Sequence, residues 1–267
     1  MSFTLYTGGC VEVMREHLQD NSIQLTVTSP PYDNLRTYKG FSWDFEATAK
    51  ELFRVTKQGG VVVWVVADAT VNGSETGTSF RQALYFKECG FKLHDTMIYQ
   101  KAGTGACGSN YAYWSSWEYM FIFSKGRPHA LNLLEDVRNT SSGTWAGGRI
   151  GKDGVPKEKG KVRFVKEFSR RTNVWRYTVG AFNNDDKTGH PAPFPEALAR
   201  DHIMSWSNSG DTVLDPFSGS GTTGKMAVLN GREFIGCDIS PEYVALADKR
   251  IKAALAPPTQ PTMFSNE

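Results

Sequence analysis

Six consecutive apolar residues, Val61-Val62-Val63-Trp64-Val65-Val66, constrain the fold of this 267-residue chain more than any other feature. Strand side chains alternate between two faces, so such a run is stable only where both faces are covered, as at the centre of a parallel sheet flanked by helices. The surrounding sequence agrees. Leu5 and Tyr6 end a short strand, Val11–Leu18 reads as a helix, Ile23–Thr28 as a buried strand and Phe45–Val55 as a helix. Phe80–Cys89 is helical with Gly90 as its stop, and Asp95–Tyr99 and Tyr119–Phe123 are strands. Later, Pro195–Ser205 is a helix with proline at its start, Thr212–Leu214 a strand, Gly224–Leu229 part of a helix, Phe234–Cys237 a strand and Pro241–Ala254 a long helix. Strands alternating with helices predict an α/β fold, a mostly parallel sheet with helices on both faces.

The alternation breaks between Arg127 and Lys187. Gly, Ser, Thr and Lys dominate there, and Lys157, Lys159, Lys161, Arg163, Arg170 and Arg171 make its middle basic, with acids mainly at the two ends. The segment is expected to be an insertion outside the sheet. Its basic residues form either a solvated surface or phosphate contacts, and their concentration in one insertion favours the second.

Composition sets bounds. Hydrophobic residues are 40% and charged residues 22%, an ordinary globular balance, and a net charge of +2 says little about partners. No apolar run approaches bilayer length, and Met1-Ser2-Phe3-Thr4 lacks the pattern of a secretory signal. Cys10, Cys89, Cys107 and Cys237 form no Cys-x-x-Cys pair, which predicts reduced thiols in the cytoplasm and no structural zinc. His17, His94, His129 and His202 lack metal-ligand spacing, so no metal is expected.

Two segments carry chemistry. The first is Asp215-Pro216-Phe217-Ser218-Gly219-Ser220-Gly221-Thr222-Thr223, between a short strand and a helix. Its glycines let backbone approach a ligand, and the helix start offers free N–H groups. Such a turn is also found as a plain tight connection. Asp238, ending the next strand, adds a carboxylate that can take two hydrogen bonds from a ribose diol. The segment matches neither the dinucleotide fingerprint nor the phosphate loop. A nucleoside without phosphates, such as S-adenosylmethionine, suits it better.

The second segment is Thr28-Ser29-Pro30-Pro31-Tyr32, at the carboxyl end of the strand Ile23–Thr28, where open α/β sheets place ligands. Paired prolines can simply terminate a strand. They also leave carbonyl oxygens with no competing N–H; Ser29 adds an acceptor and Tyr32 a flat ring. Two acceptors that take the N–H bonds of an exocyclic amino group would localise its lone pair for attack on a methyl sulfonium, while the ring stacks on the base.

Together these motifs resemble those of the DNA amino-methyltransferases, which methylate cytosine N4 or adenine N6. Asp215 to Thr223 looks like their cofactor motif, and Thr28 to Tyr32 like their catalytic motif. His190-Pro191-Ala192-Pro193-Phe194-Pro195 is similar to the segment that packs on the methionine end of the cofactor. The catalytic motif precedes the cofactor motif, the order of the family's β group. The resemblance implies a Rossmann-like, circularly permuted S-adenosylmethionine methyltransferase sheet: a catalytic half at 1–126, a target-recognition region at 127–188, a cofactor half at 189–255 and a flexible tail at 256–267. It implies catalysis by Ser29, Pro30, Pro31 and Tyr32, and cofactor binding by Asp215, Phe217, Gly219, Gly221, Thr222, Asp238, Phe194 and Pro195. DNA binding falls to Lys157, Lys159, Lys161, Arg163, Arg170 and Arg171.

Cytosine N4 in duplex DNA is the expected target, with adenine N6 the alternative. RNA methylation, or DNA binding without catalysis, are further readings. Expected partners are double-stranded DNA, a second copy of the chain and a cognate restriction endonuclease. One departure stands out. The family often has Gly-Asp-Cys near the N-terminus, the aspartate touching the cofactor adenine, whereas here Gly9 precedes Cys10.

Two further features have two readings each. The loop Gly103–Trp117, with Tyr111, Tyr113, Trp114 and Trp117, is a packed aromatic cluster or a flap over DNA or the flipped base. Asp68, after the apolar run, is a ligand contact or a helix cap. Asn173-Val174-Trp175-Arg176 is read as part core anchor and part DNA edge.

Overall fold

A computed structural model of the chain describes residues 2–31, 43–102, 113–145, 152–155, 163–178 and 195–256. In chain order the elements are strand β1 (Phe3–Thr7), helix α1 (Cys10–His17), β2 (Ile23–Thr28), α2 (Phe45–Val55), β3 (Thr56–Val66), β4 (Thr70–Val71), β5 (Ser74–Glu75), α3 (Thr78–Glu88), β6 (Lys92–Ala102) and β7 (Trp117–Ser124). There follow β8 (Val137–Arg138), β9 (Gly143–Trp145), β10 (Arg163–Val165), β11 (Phe168–Ser169), β12 (Val174–Thr178), α4 (Glu196–Trp206), β13 (Thr212–Asp215), α5 (Thr222–Leu229), β14 (Glu233–Asp238) and α6 (Pro241–Leu255).

Eight strands form one sheet in the order β1-β14-β13-β2-β3-β7-β6-β12. β3 is parallel to β2 and antiparallel to β7, β6 is antiparallel to β7, and β12 is parallel to β6. Every strand except β7 therefore runs the same way, and the carboxyl ends of the other seven share one edge.

The apolar run sits where its composition requires. Val62, Trp64 and Val66 face α1, α2 and α3 in a cluster that includes Met14, Leu52, Phe86, Phe121 and Phe123. On the other face, His202 of α4 meets Met120 of β7, and Phe234 of β14 lies against Gly224 of α5. Trp64 is fully buried, and its indole N–H donates to Gln82 Oε1 at 2.9 Å. β3 starts earlier than hydropathy indicates, because Thr56 pairs with Ile23 ahead of a register shift that absorbs the polar Lys57-Gln58-Gly59-Gly60.

Packing divides the chain into a larger unit, Met1–Asn132 with Asn173–Glu267, and a smaller one, Leu133–Thr172. The basic stretch was expected to lie wholly outside the sheet, and this is corrected at its end: Val174–Thr178 is the sheet's last strand, with Trp175 buried and Val174 and Arg176 exposed. A five-residue edge strand with one buried face leaves little periodicity to read. The smaller unit holds the antiparallel pairs β9–β10 and β8–β11. Pro195 caps α4 from outside, and the helix begins at Glu196.

Asp68 accepts the Ser79 N–H at 2.9 Å and the Ser79 hydroxyl at 2.5 Å, tying it to the first turn of α3, as a cap would. Cys10, Cys89 and Cys237 are free thiols; Cys107 lies outside the described residues. His202 is fully buried, and burial holds its imidazole neutral by pushing its pKa down to about 3. Among the described residues no helix is long and apolar enough to cross a membrane, and no group of His, Cys, Asp and Glu could hold a metal ion.

Candidate active site

The parallel sheet brings the two motifs together. β2 and β13 are neighbours, with Leu25 opposite Val213 and Thr26 opposite Leu214, so Thr28 and Asp215 end adjacent strands at the same edge. The Thr28 hydroxyl donates to Asp215 Oδ1 at 2.6 Å. The same oxygen accepts the Phe217 N–H at 3.1 Å, holding the start of the glycine turn. Burial pushes the Asp215 carboxyl up to about 6, even though hydrogen bonds from Thr28, Thr223 and the Phe217 N–H pull it down. Asp215 therefore acts within the structure as a clamp between motifs.

Ser29 is half-buried, Pro30 buried and Pro31 half-buried, directly beyond Thr28. Tyr32 lies outside the described residues, as does Phe194; Pro195 is buried at the start of α4. Phe217 packs edge-on against Trp43 with ring centroids 5.0 Å apart, and Trp43 in turn lies 6.0 Å from Trp64. The aromatic core thus reaches the cofactor turn, through a tryptophan that the sequence reading did not single out.

The glycine turn leads into α5. Gly221 caps that helix at φ +79°, and a Cβ there would lie 2.7 Å from the Cβ of Ala247. Both facts demand glycine. Asp238 closes the neighbouring strand and takes the Gly219 N–H on Oδ2 at 3.0 Å and the Ser240 N–H on Oδ1 at 2.9 Å. Its carboxylate is thereby aimed at the turn.

Thr222 is buried, and its hydroxyl is 3.4 Å from Arg250 Nη1. Sequence reasoning missed Arg250, which looks like one more charge on a long helix. Its buried guanidinium donates to the Ser220 carbonyl at 2.6 Å, to the Ser220 hydroxyl at 2.9 Å and to Glu196 at 3.2 Å. Lys225 pairs with the same Glu196 oxygen at 2.8 Å. Both cations beside the turn are committed to protein groups, so the turn fits a cofactor gripped through ribose and backbone rather than through phosphates.

Of the aromatic loop residues, Tyr113 is fully exposed and Trp114 is 71% exposed, while Trp117 packs edge-on against Tyr119 at 4.7 Å. Tyr111 lies outside the described residues. The smaller unit pairs several of its charges internally: Arg170 with Glu135 at 3.7 Å, Lys166 with Glu135 at 2.9 Å, and Arg171 with Asp136. Lys157, Lys159 and Lys161 are outside the described residues; the backbone of Arg163 opens β10.

A glycine turn held by a strand-end carboxylate, beside a strand end stripped of N–H donors by paired prolines, fits a methyl-transferring class better than a hydride- or phosphate-transferring one. Comparison narrows the class. Residues 23–249 match the family model for DNA methylase, the N6/N4 methyltransferases. Over 249 residues the chain is 55% identical to the orphan methyltransferase M.BamHII of Bacillus amyloliquefaciens, covering 90% of this chain and 92% of that one. The fold is that of the cytosine-N4-specific PvuII DNA methyltransferase, with a TM-score of 0.66 at 20% identity over 94% of this chain and 86% of that one. It is also that of M1.HpyAVI in complex with SAM, with a TM-score of 0.62 at 19% identity over 93% and 98% of the two chains. The chain belongs to the DNA methylase family.

Proposed function

We propose that this enzyme transfers a methyl group from S-adenosylmethionine to the exocyclic N4 amino group of cytosine within a short sequence of duplex DNA. The observation that carries the proposal is the 2.6 Å hydrogen bond from Thr28 to Asp215, which holds Ser29 and Pro30 beside the cofactor turn. The sulfonium methyl is the electrophile that the cofactor supplies. The chain's part is to hold the amino group. Its lone pair is delocalised into the base, and acceptors at Ser29 and the Pro30 carbonyl localise it by taking its two N–H bonds. The target base leaves the stack to reach them, and Tyr32 stacks on it.

The DNA is held by phosphate contacts from the basic stretch between the two motif halves. Tyr113 and Trp114, exposed just ahead of β7, cover the flipped base. Likeness to an orphan methyltransferase favours a solitary modification enzyme over one half of a restriction pair.

Nucleoside mass spectrometry of host DNA after expression tests the proposal. N4-methylcytosine is the expected product. A majority of N6-methyladenine would overturn the choice of base, and no modified base would overturn the activity.

A further inference from the structure

Resting on the reading above, the sheet order decides which strand tip meets which part of the cofactor. In the order β1-β14-β13-β2, Ser29 follows β2, the glycine turn follows β13, Asp238 ends β14, and Gly8-Gly9 follows β1. Neighbouring strands lie about 4.8 Å apart, so these tips span about 14 Å. The methyl must face Ser29 and the ribose Asp238. The purine, joined to the ribose on the side away from the sulfonium, then falls at the tip of β1. That tip is in register: Thr7 lies opposite Asp238, and the Gly8 N–H donates to the Asp238 carbonyl at 3.0 Å.

Gly9 is the N-cap of α1, at φ −66° and ψ 140°, a conformation any residue adopts. Space is what distinguishes it. A Cβ on Gly9 would overlap Oε2 of Glu12 and lie 3.4 Å from its Cδ. Glu12, in the first turn of α1, has therefore folded its carboxylate back into the volume that a side chain at position 9 would fill. It is exposed, and it makes no hydrogen bond or ion pair among the described residues.

We propose that Glu12 is the purine-binding residue of this enzyme, accepting a hydrogen bond from the cofactor's 6-amino group through the space that the missing side chain of Gly9 leaves open. The glycine and the glutamate are then one device: removing the side chain at 9 admits a carboxylate from one helical turn later. A carboxylate in a first helical turn also stabilises the helix, but that role alone would shift thermal stability and leave ligand selectivity untouched.

Calorimetry with S-adenosylhomocysteine, which cannot react, separates the two. Glu12→Ala should weaken binding roughly tenfold or more, the usual loss for a hydrogen bond to a charged group. Gly9→Asp in the Glu12→Ala background should recover most of that affinity, since the position is then open. Wild type should reject S-inosylhomocysteine, whose 6-oxo group faces the carboxylate as an acceptor, and Glu12→Ala should narrow that preference. Unchanged S-adenosylhomocysteine affinity in Glu12→Ala, or equal losses for the two analogues, would overturn the assignment of Glu12 alone. Failure of the wild type to bind S-adenosylhomocysteine would overturn the cofactor reading and Glu12 with it.

Discussion

Thr28 and Asp215 are 187 positions apart in the chain and joined by one buried hydrogen bond of 2.6 Å. Adjacent parallel strands make this possible, because their carboxyl ends coincide. The bond fixes how far Ser29 and Pro30, beyond β2, stand from the turn after β13, and on the proposed reading that spacing governs the geometry of methyl transfer.

Thr28→Val keeps the shape and removes the donor. Asp215 would lose its shortest hydrogen bond in a buried site, at a cost of about 1–3 kcal/mol in urea unfolding. The single-turnover methylation rate should fall as well, and Thr28→Ser should restore both. A Thr28→Val protein that unfolds and methylates like wild type would show that the two motifs are not coupled through this bond.

Asp215 also predicts a pH signature. Its folded-state pKa of about 6 stands above the ordinary value of 3.8, so the native state binds the proton more tightly than the unfolded chain. The cost of the buried charge, about 3 kcal/mol, is fully present above the folded pKa and is relieved as pH falls toward the unfolded value. Asp215→Asn keeps an Oδ1 acceptor for Thr28 and Phe217 and removes the titration. Relative to wild type, it should gain stability as pH rises from about 3.8 to about 6 and level off above that, read as the change in unfolding midpoint. A constant difference across that range would contradict the raised pKa.

Arg250→Met should damage cofactor binding without touching the cofactor. The Ser220 carbonyl and hydroxyl lose their donor, and the glycine turn loses its anchor to α6. Breaking a buried charged network typically costs about 3–5 kcal/mol, so the melting temperature should fall along with affinity. Retained affinity in a folded variant would mean that the turn holds its shape unaided.

In the basic stretch, Arg170 and Arg171 already face Glu135 and Asp136. Replacing Lys157, Lys159 and Lys161 by Gln should therefore flatten the salt dependence of DNA binding more than replacing the two arginines. The same slope in the lysine variant as in wild type would place the DNA elsewhere.

Ser29→Ala should lower the single-turnover rate with little change in DNA affinity, because its hydrogen bond strengthens as the lone pair localises. Tyr32→Ala should also weaken capture of the flipped base, by about 1–3 kcal/mol of lost stacking, and Tyr32→Phe should retain much activity. A base-analogue fluorescence assay run beside the kinetics checks both. Normal flipping by Tyr32→Ala with a dead Tyr32→Phe would assign the hydroxyl, not the ring face.

The strand Ile23–Thr28 and the helix Phe45–Val55 were legible at their bounds, because burial leaves apolar residues close together in a strand and at helical spacing in a helix. β12 was hidden because an edge strand buries one face only, here through Trp175. The roles of Asp215, Arg250 and Glu12 were hidden for another reason. Each depends on a partner distant in sequence or folded back in space, and a carboxylate or guanidinium reads alike in sequence whether it is buried, paired or free. The basic stretch illustrates this: its lysines and arginines can be counted, but the pairing of Arg171 with Asp136 appears only in three dimensions.

The sheet order has a consequence for synthesis on the ribosome. β13 and β14 lie between β1 and β2, although they are translated some two hundred residues later. A nascent chain can assemble β2, β3, β7 and β6, but a two-strand gap separates β1 from them until residues 212–238 emerge. That gap is where the cofactor turn and Asp238 belong. A polypeptide stalled anywhere before it therefore lacks both the glycine turn and Asp238 beside the end of β2.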